Sequence, residues 1–204
     1  MKENIEYEKR EELLKAAKEE FLEKGYNKAS LRSICAKAGV TTGALYFFFE
    51  NKADLFSAIV DGPINELKAM IVNHFKEDMS YMSTIESLDG VDLNHDKESD
   101  MFTKIIYKNY DTFLLLLTGA EDTKYENVVA EFVEILEENI PPMVSAMSGF
   151  TADKFMCHWM AHITTDGYIN VIKHERDVKK AIPRIRNITN YLVQGWVQLV
   201  MVKK

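Results

Sequence analysis

The stretch from Ala29 to Phe56, ASLRSICAKAGVTTGALYFFFENKADLF, constrains the fold more than any other. Its caps and its glycine fix two short helices and the turn between them. Ser30 is placed to cap a helix whose inward stripe, Leu31, Ile34, Cys35 and Ala38, follows i, i+3, i+4, i+7 spacing and stops at Gly39. Thr41 or Thr42 caps the next helix, with Val40, Leu45 and Phe49 as its apolar anchors. Two helices joined by so short a glycine-containing link fit a helix-turn-helix, in which the second helix enters a major groove. The leading residues Thr41, Thr42, Gly43 and Ala44 are small enough to let the backbone approach base edges, and they keep hydroxyls and a methyl group for contacts. Tyr46 offers a phenolic group better suited to phosphate than to a base. Spacing alone also suits an ordinary packed helix pair, so both readings stand at this point.

A wider set of residues narrows the choice. The run LLKAAKEEFLEKGY (Leu13 to Tyr26), followed by Ile34, Ala36, Ala38, Gly39, Val40, Gly43, Leu45, Tyr46, Phe49, Lys52 and Leu55, resembles the DNA-binding domain of the tetracycline-repressor (TetR) family of bacterial regulators. That resemblance covers about residues 10 to 56. It implies an all-α fold with an N-terminal three-helix domain containing the helix-turn-helix (1–50) and a C-terminal helical ligand-binding and dimerisation domain (51–204). It further implies a recognition helix from Thr41 to Phe47, with Tyr46 on the DNA backbone and Lys52 on a phosphate. Two positions depart from the family pattern: Ala29 stands where a threonine is usual and Phe47 where a histidine is common. A phenyl ring has no donor for a phosphate oxygen, which shifts the expected contacts toward Ser30, Arg32, Tyr46 and Lys52. Phe48 is expected to thicken the core, and Phe47 to be partly exposed against sugar or a groove wall.

Charge is distributed in a way that permits this. The net charge is -7, yet residues 1–60 hold ten Lys and Arg against ten Asp and Glu, so the deficit lies beyond residue 60. Acidic residues of the first segment fall mostly on the first helix (Glu11, Glu12, Glu19, Glu20, Glu23), whereas Lys28, Arg32, Lys37 and Lys52 lie near the expected reading surface. A local basic footprint on an acidic protein predicts modest, salt-sensitive non-specific affinity. Cys35 and Cys157 show neither metal nor disulfide spacing and suit a reducing cytosol. The amino terminus MKENIEYEKREELL lacks the apolar core of a signal peptide, and no apolar run is long enough for a bilayer, so a cytoplasmic protein without membrane contact is expected.

Beyond residue 56 the pattern stays helical. Asn51 and Asp54 suit the cap of a helix carrying Leu55, Ile59, Leu67, Ile71 and Phe75, which Gly62-Pro63 should kink or interrupt. Residues 86–100 read as an exposed loop. Phe102, Ile105, Ile106, Tyr110, Phe113, Leu114 and Leu117 predict one central helix, Thr118 to Thr123 a turn, and Lys124 to Asn139 a helix ended by Pro141-Pro142. Two long helices close the chain, about Thr151 to His174 and Ile182 to Lys203, the last carrying Ile185, Ile188, Leu192, Trp196, Leu199 and Val202 with Gly195 at a possible close approach.

Such a terminal pair suits a homodimer built as a four-helix bundle through the two C-terminal helices, the alternative being a monomer whose last helices complete its own core. The resemblance implies the dimer, with two reader domains on successive major grooves of a near-palindromic operator in double-stranded DNA. A small-molecule effector pocket would be largely apolar with a few polar groups. Its candidate lining is Phe102, Tyr107, Tyr110, Phe113, Phe132, Trp159 and Met160, with His158 and His162 as polar handles, which favours a hydrophobic or aromatic effector. His158, His162 and Asp166 fall on one helical face at i, i+4, i+8, a spacing open to a divalent metal but better read as pocket or dimer-edge polar groups. No cofactor, metal or catalytic residue is called for, because the chain has no nucleotide-binding glycine loop, nucleophile elbow or HExxH motif. The expectation is a ligand-responsive repressor released from its operator by effector; the rival is a helical adaptor or small-molecule-binding protein that has lost DNA binding.

Overall fold

A computed structural model describes residues 2–85 and 94–203. The chain runs α1 (Lys2–Lys28), α2 (Leu31–Lys37), α3 (Thr42–Phe48), α4 (Lys52–Met82), α5 (Asp96–Lys108), α6 (Tyr110–Thr118), α7 (Val128–Ala146), β1 (Phe150–Ala152), α8 (Lys154–His174), α9 (Val178–Val200) and β2 (Met201–Lys203). The fold is all-α apart from one short antiparallel pair, in which Thr151 faces Val202. It divides into two compact units, one from residues 1–65 with 109–128 and one from 66–108 with 129–204.

In the first unit, Leu13, Ala16, Ala17 and Phe21 of α1 are buried, as are Ile34, Leu45, Leu55 and Phe56 of the next three helices. The Phe56 ring meets Phe21 edge-on at 5.1 Å and Tyr26 at 5.3 Å. Gly25 leaves helical geometry at φ 71°, a left-handed value that glycine adopts without strain. The next residue, Tyr26, then donates its N–H to the Gly119 carbonyl at 2.9 Å. A Cβ on Gly119 would lie 3.3 Å from the Gly25 Cα and 3.0 Å from Leu115 Cδ1, so the two glycines permit α6 to close on the end of α1. Asn27 to Asp122 (2.6 Å) and Tyr125 to Asp61 (2.5 Å) fasten the following turn to α1 and α4.

In the second unit, Ile85, Ile140, Met143, Val144, Met147, Cys157 and Met160 form one cluster, and Val171, Ala181 and Ile185 another. α9 packs on both α5 and α8. Arg186 holds Asp100 of α5 through two bonds of 2.6 Å each. This fork-to-fork pair keeps the Asp100 carboxyl below its ordinary range.

Several sequence expectations need correction. α4 runs on through Gly62 and Pro63. Pro63 removes one donor to the Ile59 carbonyl, but buried Val60, Ile64 and Leu67 on the flanking turns hold the helix. α7 likewise continues through Pro141 and Pro142 to Ala146, carried by buried Ile140, Met143 and Val144, and it starts at Val128 rather than Lys124. The apolar run after Met101 is two helices, because Asn109 (φ -123°, ψ 36°) breaks it. Of the expected loop at 86–100, residues 86–93 lie outside the described residues, and Asp96 to Asp100 are helical. The close approach in the last helix pair falls at Gly167, where a Cβ would sit 3.2 Å from Ile188 Cγ2, whereas Gly195 has open space. The side chains of Trp196, Leu199 and Val202 lie outside the described residues.

Candidate functional site

The helix-turn-helix is built on a buried carboxylate. Glu20 on α1 has no solvent exposure. It accepts from Lys24 Nζ at 2.7 Å, Lys37 Nζ at 2.9 Å, the Ser33 hydroxyl at 2.9 Å and the Ser30 N–H at 3.4 Å. These donors, Lys24 foremost, outweigh the cost of burial and hold its pKa at about 2. One carboxylate thus ties α1 to the first turn and to the last turn of α2. The sequence puts Glu20 on the first helix and Lys37 near the expected reading surface; the structure pairs them, with Lys37 also reaching Glu23 at 3.4 Å. A charged pair separated by 17 positions leaves no periodic signal, so only the tertiary fold shows it.

Ser30 caps α2, accepting from the Ser33 N–H at 3.5 Å. Gly39, at φ 65°, ends it, and its left-handed backbone lets Val40 N–H close back on the Cys35 carbonyl at 3.0 Å. Thr41, rather than Thr42, caps α3, its Oγ1 accepting from Ala44 N–H at 3.2 Å. Leu45 is the buried anchor of α3 and Phe49 follows it into the core, with the Arg10 guanidinium 5.4 Å above the Phe49 ring. The opposite face is open: Thr41, Thr42 and Gly43 are exposed, Ala44 is half-buried, Tyr46 is 54% exposed and Phe47 70%. Phe48 is half-buried, with its ring edge-on to Phe47 at 4.9 Å. Ser30 and Arg32 are respectively exposed at the cap and on the outer side of α2.

At the start of α4, Asn51 Oδ1 accepts from the Asp54 N–H at 2.9 Å while Asp54 Oδ2 accepts from the Glu50 N–H at 3.0 Å. This reciprocal cap orients Lys52. Lys52 Nζ donates to the Asn27 carbonyl at 3.1 Å and lies 4.6 Å from the Tyr26 ring centroid. Partial burial lowers its pKa. Lys52 is therefore engaged with the end of α1, a role the sequence did not reveal, and of its three N–H donors one is taken up there.

The expected effector residues are divided between the two units. Tyr110 and Phe113 belong to the first unit, Phe113 buried and Tyr110 half-buried. In the second unit, Met160 lies in the core, and Phe102 meets Tyr168 at 4.8 Å. Tyr107 donates to the Glu175 carbonyl at 2.6 Å, and Phe132 lies beneath Lys68 Nζ at 5.9 Å. Trp159 is exposed, as are His158 and His162, whose rings sit 4.6 Å apart. A carboxylate the sequence did not single out, Glu137, lies beside those two histidines, 2.5 Å from His158 Nδ1. Cys35 and Cys157 are both buried, which pushes both thiols up. No helix among the described residues is long and apolar enough to cross a membrane.

Comparison with known proteins bears on the same residues. The family model described as bacterial regulatory proteins, tetR family, matches residues 13–59. The HTH-type transcriptional repressor BepR of Brucella suis is 51% identical over 53 residues, 26% of this chain and 25% of BepR. The uncharacterized HTH-type transcriptional regulator TtgW of Pseudomonas putida is 30% identical over 105 residues, 51% of this chain and 77% of TtgW. The chain spans about half or less of the length of the other curated relatives it matches. In fold, it is similar to a TerR/AcrR-family transcriptional regulator from Aquifex aeolicus VF5 at 20% identity, covering 88% of this chain and 96% of that one with a TM-score of 0.57. With a capped, outward-facing α3 set on α1 and α2, and with the match to TtgW reaching well past those helices, the chain belongs to the tetR family of bacterial regulatory proteins.

Proposed function

We propose that this protein is a ligand-responsive transcriptional regulator that represses by occupying a near-palindromic operator in double-stranded DNA as a homodimer. The observation that carries the reading is the face of α3: small residues at its capped start, Tyr46 and Phe47 exposed, and Leu45 alone buried. In this reading, residues 1–50 read DNA. Thr41, Thr42, Gly43 and Ala44 meet base edges, and Ser30, Arg32, Tyr46 and the remaining donors of Lys52 meet phosphates. Phe47, lacking a donor, packs on sugar or a groove wall. The repressor sign draws support from the printed description of BepR as a repressor.

Residues 51–204 bind the effector and form the dimer through α8 and α9. Phe155 and Trp159, one turn apart on α8, and Tyr191 on α9 are all exposed aromatics, an unusual concentration for a solvent face. A small hydrophobic or aromatic effector suits the aromatic and sulfur side chains of the second unit, with Met160, Phe132, Phe102 and Tyr107 as its first candidates. Its signal has three covalent routes to the reader: α4, the break at Asn109, where the chain passes from the second unit into α6 of the first, and the start of α7 at Val128, where it passes back. Release requires differential binding: moving the operator-competent state from 99:1 to 1:99 takes about 5.5 kcal/mol of preference for the other state.

The test is selection of bound fragments from bacterial genomic DNA by the purified full chain, followed by operator affinity with and without the effector. Recovery of a two-fold symmetric site whose affinity falls on effector binding is the expected result. Unchanged affinity refutes effector release, increased affinity reverses the sign, and failure to select any sequence favours a helical adaptor.

A further inference from the structure

Within the second unit, three side chains that no part of the DNA-reading argument uses converge from two elements. His74 and Asp78 lie one turn apart on α4, and His95 immediately precedes α5. All are half-buried, and one ligand atom from each lies within 4.8 Å of the others. His74 Nε2 is already 3.3 Å from Asp78 Oδ2. The His95 ring stands edge-on to the His74 ring, with centroids 5.9 Å apart. We propose that His74, Asp78 and His95 form a binding site for one divalent transition cation of the zinc, cobalt and nickel group.

The donor set carries the choice of ion. Two imidazoles and one carboxylate suit borderline cations, whereas magnesium and calcium prefer oxygen. Ligands about 2.0–2.1 Å from a tetrahedral ion lie about 3.3 Å from one another. The His74–Asp78 pair has that spacing, and the third ligand atom needs to close by at most about 1.5 Å, the scale of a side-chain rotation. The backbone at His95 is held in place for this. Its N–H donates to Asn190 Oδ1 of α9 at 3.3 Å, its carbonyl accepts from the Ser99 N–H at 2.9 Å, and Asn190 Nδ2 binds the neighbouring Asp96 at 2.8 Å.

Electrostatics point the same way. Burial pushes the Asp78 carboxyl up; His74 and His95 oppose that, while Glu98 and Glu77 add to it. A half-buried carboxylate near two further acids gains from a bound cation. Three protein ligands also leave coordination positions for water or for a chelating small molecule. The second histidine cluster, Glu137 with His158 and His162, is the weaker candidate, because its two rings are exposed on α8.

The test is a cobalt(II) titration of the full chain after chelator treatment, read by visible absorption and repeated with zinc by calorimetry. His158→Gln with His162→Gln serves as the background that silences the second cluster. The expected result is one equivalent bound, with a nitrogen-and-oxygen cobalt spectrum that zinc displaces and millimolar magnesium does not. His74→Gln, His95→Gln and Asp78→Asn should each weaken binding by about a hundredfold or more, beyond the cost of losing an outer-shell partner. Absence of saturable binding at micromolar protein overturns the proposal, a result that needs no variant to fold. Binding that all three substitutions leave unchanged, or that only the His158/His162 background abolishes, overturns it equally.

Discussion

Replacing Glu20 by Gln removes the charge that fastens α2 to α1 while keeping the size of the side chain. In the folded chain this carboxyl is held at about 2, against an ordinary value of 4.5. Each tenfold change in proton affinity is worth about 1.4 kcal/mol, so the full difference corresponds to about 3 kcal/mol. Lys24 and Lys37 are each more than one-third exposed. Solvent screening of the two ammonium groups lowers the net contribution to about 2 kcal/mol. Because the folded pKa lies below the unfolded one, this stability is present in full above about pH 4.5 and is lost as pH falls toward 2. Urea denaturation of the full chain, followed by circular dichroism at a series of pH values, gives the difference between wild type and Glu20→Gln. The expected difference is about 2 kcal/mol at pH 7, shrinking steadily below pH 4.5 and vanishing near pH 2. A difference that stays constant with pH would refute the electrostatic account and leave packing as the cause. Operator affinity should fall alongside stability, since Glu20 also accepts from Ser30 and Ser33 at the start of α2.

Tyr46→Phe should weaken operator binding about fivefold, the loss of one hydrogen bond to phosphate worth about 1 kcal/mol, with the thermal melt unchanged; fluorescence anisotropy on the selected operator reads it, and equal affinity would remove Tyr46 from the contact set. Lys52→Ala should weaken all sequences alike and reduce the salt slope by about one. It should also cost about 1 kcal/mol of stability through the lost Asn27 bond and Tyr26 contact, whereas an unchanged salt slope would confine Lys52 to this structural role. Phe155→Glu with Trp159→Glu should convert the dimer to monomer in sedimentation without loss of helicity, and a dimer that persists would move the interface away from α8.

The two short helices α2 and α3 were visible in the sequence because each of their boundaries is a local event. Ser30, Gly39 and Thr41 act on backbone groups within a few residues, so the chemistry that stops or starts each helix is written beside it. The prolines of α4 and α7 misled for the opposite reason. Pro63, Pro141 and Pro142 each withdraw a donor, a local cost, but the helices persist through the burial of Ile64 and Leu67 in one case and Met143 and Val144 in the other, and that gain is set by distant parts of the chain. The break at Asn109 was hidden because apolar spacing continues on both sides of it, Ile106 before and Phe113 after, although the two helices serve different units.

The candidate sites divide along the same line. The open face of α3 follows from helical spacing around Leu45, and Phe47 was expected on that face from its position alone. Glu20 and Lys37, or His74 and His95, owe their function to the tertiary fold, and neither pair has helical spacing. A carboxylate on an amphipathic helix reads as solvated until the fold supplies Lys37, Ser30 and Ser33 around it. Two histidines separated by 21 positions read as unrelated until α4 and the residue before α5 set one ring edge-on to the other. What a sequence of this kind conceals is therefore its charged and ligating groups rather than its apolar ones. Burial of an apolar side chain needs only the right face of a helix, whereas burial of Glu20 or assembly of a metal site needs specific partners, and those partners come from anywhere along the chain.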